Sequence, residues 1–280
     1  MARSRFISIL LSFFVMGCVP DASQVATNPD ARQNFNHGDF SRFEFVDNMK
    51  PNSYSVVMAP SGDGLAERFY IDNSNCIRDD CNHNSFRSAK KGNIWDDPRP
   101  RSVTSPRQAW YSFEIYFPPE LPYGMKQTRA SYILTEFKEN NDCATFSFGH
   151  VNGHNDNSMS VTLMTSTGSS DHSFVGSPIG CSDYYEGVVG NMRQLVGRWT
   201  RFEYFVRWDE VDGFIEVFRD GERVLRYSGK TCDNIQGCLT RNIPYYGIYM
   251  PNVRDVDNML PASVYFRNVS MAQRREDLVR

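Results

Sequence analysis

The chain is poor in the features that assign a sequence quickly. In its 280 residues no segment carries a convincing amphipathic helix of three turns, and no internal repeat of fixed period is visible. No phosphate-cradling glycine loop and no Ser/His/Asp arrangement stands out, so nucleotide chemistry and serine-type hydrolysis lack a motif. There is no basic excess, since 33 acids face 30 bases at a net charge of −3, and this argues against a nucleic-acid partner. The 7 cysteines include no C-x-x-C pair and are scattered, which speaks against zinc. The one apolar run near the start, Phe6–Met16, is too short to span a bilayer.

What is present is β-patterned. In Trp199–Trp208, Thr200, Phe202, Tyr204, Val206 and Trp208 alternate with Arg201, Glu203, Phe205 and Arg207, as in a half-buried antiparallel strand. Asp212-Gly213 and Asp220-Gly221 punctuate two further short runs in the manner of hairpin turns. The run at 245–250 puts Tyr245, Gly247 and Tyr249 on one face and Tyr246, Ile248 and Met250 on the other. Two phenols and a glycine on one side leave space for something to lie against the strand. Strands are also expected at Phe40–Val46, Tyr54–Met58, Leu65–Ile71, Ala109–Phe117, Tyr132–Lys138, Thr145–Val151, Ser158–Thr165 and Ser263–Val269, while Ser85–Ala89 leads into a basic Lys90-Lys91-Gly92 segment. Asp96–Arg107 and Gly168–Val196 read as loops. Many short strands with Gly, Pro and Asn punctuation predict an all-β sandwich or jelly roll, concanavalin-like, in a single domain over residues 39–272. The charged tail 273–280 is expected at the surface.

The N-terminus reads as a targeting segment. Arg3 and Arg5, an apolar run and then Gly17-Cys18 resemble a bacterial lipobox, which implies cleavage after residue 17 and acylation of Cys18. An ordinary secretory peptide cut nearby is the other reading. Residues 18–38 are polar and aperiodic, as a flexible tether is. The protein is thus expected to be exported and lipid-anchored to the bacterial envelope, in the periplasm or at the outer membrane, or else secreted. Six cysteines remain after Cys18, and an even number in an exported chain argues for disulfides. Sequence proximity favours Cys76–Cys81 and Cys232–Cys238, leaving Cys143 with Cys181, although other pairings stay open.

Several stretches together resemble the heparin lyase I and glucuronan lyase type of polysaccharide lyase, a β-jelly roll. FRSA at Phe86–Ala89 stands where that family has an Arg-x-Glu strand, and ILTEFK stands where it has a Gln-x-His strand. WYSFEIYFPPELP is similar to its Trp/Tyr-rich strand. Trp199 and Trp208, then DGFIEVFRDGERV and YYGIYM, are similar to its tryptophan pair, hairpin and K-x-G-x-Y strand, and SVYFRNV to its closing strand. The resemblance implies β-elimination on a uronic acid: a base removes the C5 proton, a cation neutralises the carboxylate, and an acid protonates the O4 leaving group.

Carried over residue by residue, the resemblance makes Tyr249 the acid or base and Arg87 a supplier of positive charge. Lys138 stands in the histidine position of Gln-x-His and Glu136 in the glutamine position, Tyr245 replaces the lysine of K-x-G-x-Y, and Ala89 replaces the glutamate of Arg-x-Glu. His83, close before Arg87, is a further catalytic candidate. Glu136, Tyr245, Arg201, Glu203, Arg207 and His150 are candidates for lining a substrate groove, with ion pairing between strands as the other account of Arg201, Glu203 and Arg207. The expected partner is an acidic polysaccharide, with no nucleic acid, and the expected state is a monomer. No cofactor or catalytic metal is expected, calcium entering only in a structural role. Two other functions share the pattern, namely a non-catalytic carbohydrate-binding jelly roll and a glycoside hydrolase pairing Glu136 with Glu203 or Glu114.

Overall fold

The computed structural model describes residues 43–45, 50–76, 79–92, 107–121, 131–138, 144–150, 158–165, 183–232, 243–251, 253, 255–257, 259, 261–278. In chain order these form β1 (Phe43–Phe45), β2 (Tyr54–Met58), β3 (Leu65–Ile71), α1 (Asp79–Asn82), β4 (Phe86–Gly92), β5 (Gln108–Tyr116), β6 (Tyr132–Lys138) and β7 (Ala144–His150). They continue as β8 (Ser158–Thr165), β9 (Asp183–Asn191), α2 (Met192–Leu195), β10 (Trp199–Arg207), β11 (Gly213–Arg219), β12 (Glu222–Gly229), β13 (Ile243–Met250) and β14 (Ala262–Ala272). Two seven-stranded sheets result, a front sheet ordered β1-β4-β13-β6-β7-β8-β9 and a back sheet ordered β12-β11-β10-β5-β14-β3-β2. Their pairings are antiparallel, and consecutive strands repeatedly lie in different sheets, as in a jelly roll.

The period-two patterns decide which face of each strand is buried. On β10 the residues Thr200, Phe202, Tyr204 and Val206, and Trp208 just past its end, are each 1 % exposed or less. They meet the front sheet through aromatic contacts, with Phe148 and Phe202 at 4.7 Å, Phe146 and Tyr204 at 5.0 Å, and Phe137 and Trp208 at 5.4 Å between ring centroids. Each fully buried ring of this kind contributes about 1.5–3 kcal/mol relative to exposure. Asp220 and Gly221 form the two-residue turn between β11 and β12 with φ of 51° and 91°, as a type I′ turn requires. The loop before Gly213 is built differently: the amides of Val211 and Asp212 both donate to Asp209 Oδ1 at 3.0 Å. Those amides and Arg107 hold the Asp209 carboxyl well below the usual carboxylate range.

Three expectations change. The loop-rich reading of 168–196 gives way at β9, where Val189 packs in the core and Val188 faces outward at 57 % exposure. The tail is not all surface, because Leu278 is buried and Arg275 lays its guanidinium 4.3 Å from the Phe218 ring centre. Cys76 and Cys81 are bonded, whereas Cys232, expected to pair with Cys238, is a buried free thiol, and Cys238 lies outside the described residues. Burial in the apolar core, rather than a second sulfur, accounts for Cys232. Cys18, Cys143, Cys181 and the N-terminal segments lie outside the described residues.

Candidate active site

The site grows from the pairing of β4 with β13, two strands far apart in sequence. Their register sets Arg87 opposite Tyr249, Ala89 opposite Gly247 and Lys91 opposite Tyr245. Because Tyr246, Ile248 and Met250 point into the core at 2 % exposure or less, Tyr245, Gly247 and Tyr249 are turned to the outer face. On the next strand, Thr135 reaches Tyr204 across the core at 3.2 Å and Phe137 packs on Tyr111, so Glu136 between them is also on the outer face. Glu136 stands opposite Tyr245 on one side and Ser147 on the other. Together these strands leave a shallow hollow, enclosing about 10 Å³, whose lining includes Ala89, Ile133, Glu136, Tyr245, Gly247 and Tyr249 together with the core-facing Leu134, Tyr246 and Ile248.

Gly247 shapes this hollow in a way the alternation does not reveal. Its φ is +144°, and a Cβ built on it would lie 2.6 Å from the Cα of Ala89 and nearer still to the Ser88 carbonyl. The β13–β6 register shifts between Tyr246 and Tyr249. A glycine bulge therefore draws β13 against β4 and re-aims the residues that follow. The glycine serves that close approach, and the open space lies over its neighbours. Ala89 is small for the same reason, since its Cβ would be 3.0 Å from a Cβ at 247.

The principal polar contact in the hollow joins Arg87 and Tyr249. The guanidinium carbon sits 4.0 Å from the centre of the Tyr249 ring, a cation–π arrangement that puts positive charge beside the phenol. The backbone holds Arg87 from behind, because its amide donates to the Asn75 carbonyl at 3.2 Å, next to the Cys76–Cys81 bridge. Lys91 joins the same face, four residues from Arg87 along β4 and directly across from Tyr245. Period-two counting from Arg87 would have found it, whereas the sequence shows only a basic Lys90-Lys91 pair.

Of the other sequence candidates, Lys138 ends β6 opposite Ile243, which puts its backbone on the strand next to β13. His150 ends β7 opposite Tyr132. His83 is exposed in the turn after α1, outside both sheets. Arg201, Glu203 and Arg207 do not belong to the hollow. They lie on the outer face of the back sheet, with the aromatic core between them and Tyr249. There Glu203 accepts from Arg201 Nε at 2.8 Å and from Arg275 Nε at 2.7 Å, and Glu114 accepts from Arg267 Nε at 2.6 Å. Arg207 lies 3.8 Å from Asp209. These ion pairs give each of the three charges a partner on the back sheet. The same geometry separates Glu136 from both Glu114 and Glu203, so neither completes a glycosidase pair with it. Among the described residues no cluster of three or more His, Cys, Asp or Glu is placed to hold a metal ion.

Residues 35–270 match the family model described as polysaccharide lyase. A comparison with curated proteins found no match. Among solved structures, the chain is similar to an alginate lyase from Klebsiella pneumoniae at 10% identity and TM-score 0.46, covering 79% of this chain and 85% of that one. It is similar to the alginate lyase Aly36B at 10% identity and TM-score 0.48, covering 86% and 90% respectively. The catalytic domain of a glycoside hydrolase family 131 protein from Coprinopsis cinerea is similar at 11% identity and TM-score 0.48, covering 80% and 78%. A sialidase is similar at 12% identity and TM-score 0.46, and the chain spans 18% of its length. At these levels the structures carry no argument about chemistry.

Proposed function

The chain belongs to the polysaccharide lyase family, and from that premise we propose that it breaks a uronate-containing acidic polysaccharide by β-elimination in the hollow around Tyr249. The observation that carries this reading is the Arg87 guanidinium held over the Tyr249 ring at 4.0 Å, on strands whose register a bulge glycine fixes. In the proposed reaction the C5 proton of the uronate passes to a base as the C4–C5 double bond forms. The C4–O4 bond breaks, and the departing oxygen takes up a proton. Tyr249 moves a proton at its phenolic oxygen. Arg87, next to it, offsets the negative charge that builds on the carboxylate as the transition state forms. Lys138 and Lys91 are the further cations assigned to substrate carboxylates, with Tyr245 and Glu136 bordering the sugar.

Within the family, the motif likeness favours the heparin and glucuronan lyase type. The same reading takes the protein to the cell envelope through an acylated Cys18, so Cys18→Ala should release it from the membrane fraction, whereas a wild-type protein recovered free of membranes would make it the secreted form. The test of function is incubation with glucuronan, alginate and heparin, followed at the absorbance of unsaturated uronates. A rise with one of them, abolished in Tyr249→Phe, is expected. New reducing ends without unsaturation would make the protein a hydrolase, and binding without cleavage would make it a lectin-like module.

A further inference from the structure

Directly beneath the hollow, the core holds a charge cluster that the reaction does not use. Glu67 projects from β3 of the back sheet and is 1 % exposed, and Lys90 of β4 is 3 % exposed. The two form an ion pair. Tyr246 of β13 donates its hydroxyl to Glu67 Oε2 at 2.7 Å, and Tyr54 of β2 donates to Oε1 at 2.9 Å. The Lys90 ammonium also lies 4.8 Å from the centre of the Tyr54 ring. One carboxylate thus gathers donors from β2, β4 and β13. Lys90 and Tyr246 are themselves cross-strand partners in the front sheet.

Stability alone is a poor reason for such a cluster, since a buried ion pair gives back in desolvation most of what it gains in attraction. Its location supplies a better one. Lys90 lies between Ala89 and Lys91, and Tyr246 lies between Tyr245 and Gly247, so each inward anchor is flanked by residues of the outer hollow. Past Tyr246 the ladder to β6 shifts register at the bulge and resumes with Tyr249 opposite Ile133, whereas the pairing with β4 runs unbroken from Tyr245 to Met250. A one-residue slip of β13 against β4 would turn Tyr249 inward. It would also carry the Tyr246 hydroxyl off Glu67 and take from the buried Oε2 the donor it has there.

We propose that Glu67 is a positioning residue for the reaction: from the back sheet it fixes, through Lys90 and Tyr246, the register that brings Arg87 over Tyr249. The proposal rests on the assignment of Tyr249 to proton transfer, and its test separates the two. Tyr246→Phe removes one hydroxyl and keeps the ring between Phe69 and Phe266, while Glu67→Gln keeps the shape and removes the charge. At a temperature where both variants are fully folded, kcat is expected to fall roughly 10-fold in Tyr246→Phe and further in Glu67→Gln, with KM nearly unchanged, because a hydrogen bond to a charged group is lost. Amide hydrogen exchange should quicken at 243–250 and 86–92 while 199–207 keeps its protection. Lower melting temperatures with wild-type kcat and evenly spread exchange would overturn the proposal. If the wild-type protein eliminates no acidic polysaccharide, the functional reading fails and the exchange pattern alone decides whether Glu67 sets the register.

Discussion

Gly247→Ala is the substitution from which the geometry predicts most. At φ of +144° an alanine is strained by itself, and its methyl would also overlap the Ser88 carbonyl and the Ala89 Cα at 2.6 Å. Backbone strain at such a position costs about 1–3 kcal/mol. The overlap adds to it, because both obstacles are main-chain atoms that move only if β4 moves. A total near 3 kcal/mol corresponds to a fall of about 6–12 °C in melting temperature for a domain of this size. The control is Gly221→Ala, at φ of +91° with no atom within 4 Å of the added methyl. Strain alone should cost it about 1–2 kcal/mol. Thermal unfolding followed by circular dichroism gives both values. Turnover separates the variants further, since a displacement of Tyr249 by about 1 Å is enough to cost ~100-fold in rate, whereas the β11–β12 turn is remote from the hollow. Equal melting temperatures for the two variants, or wild-type turnover in Gly247→Ala, would refute the argument that strand approach at 247 builds the site.

Other perturbations test neighbouring parts of the account. Arg87→Met keeps the aliphatic stem over Tyr249 but removes the charge, and should lower kcat by about 100-fold, as loss of a transition-state charge partner does in other sites. Burial acts to raise the Glu203 carboxyl, but hydrogen bonds from Arg201 and Arg275 outweigh it and hold the group below its ordinary range. The unfolded chain therefore binds the proton more readily, so this contribution is present above the ordinary carboxylate pKa of about 4.3 and is lost as pH falls through the lower folded value. Glu203→Gln should flatten the decline of melting temperature below that pH and leave turnover per folded molecule unchanged. Reduction of the Cys76–Cys81 bridge, which spans 5 residues, should cost about 2 kcal/mol by loop entropy and loosen the segment that backs Arg87, as thermal unfolding with and without reductant would record.

Much of the fold was legible because its strands have one wet and one dry face. On β10 the apolar alternate set is the buried one, and β5 sends Tyr111, Phe113 and Ile115 into the core, although Ser112 and Tyr116 on its other face are buried as well. β9 escaped because Gly187 sits where the Leu225 side chain leaves 2.4 Å for a Cβ, and because exposed Val188 interrupts the polar face. Inward charges hid the ion pair between the sheets in the same way, since Glu67 in LAERFYI and Lys90 in FRSAKKG look like solvent-facing residues until their partners are known. The meeting of Arg87 with Tyr249 came from motif likeness, because nothing local to either strand states that they pair. For Arg201, Glu203 and Arg207 the sequence left groove lining and ion pairing both open, and the structure shows the ion pairs. Alternation marks a face as polar without saying which sheet, or which side of the sandwich, that face belongs to.

The central claim is that carbon–oxygen bonds in an acidic polysaccharide are broken here without adding water, at Tyr249. Mass spectrometry of the oligosaccharides released by the wild-type protein and by Tyr249→Phe tests it most directly. Chains lighter by one water than their hydrolysis counterparts, formed by the wild type and absent with the variant, are the predicted result. Hydrated products, or the same unsaturated products from Tyr249→Phe at the wild-type rate, would contradict it.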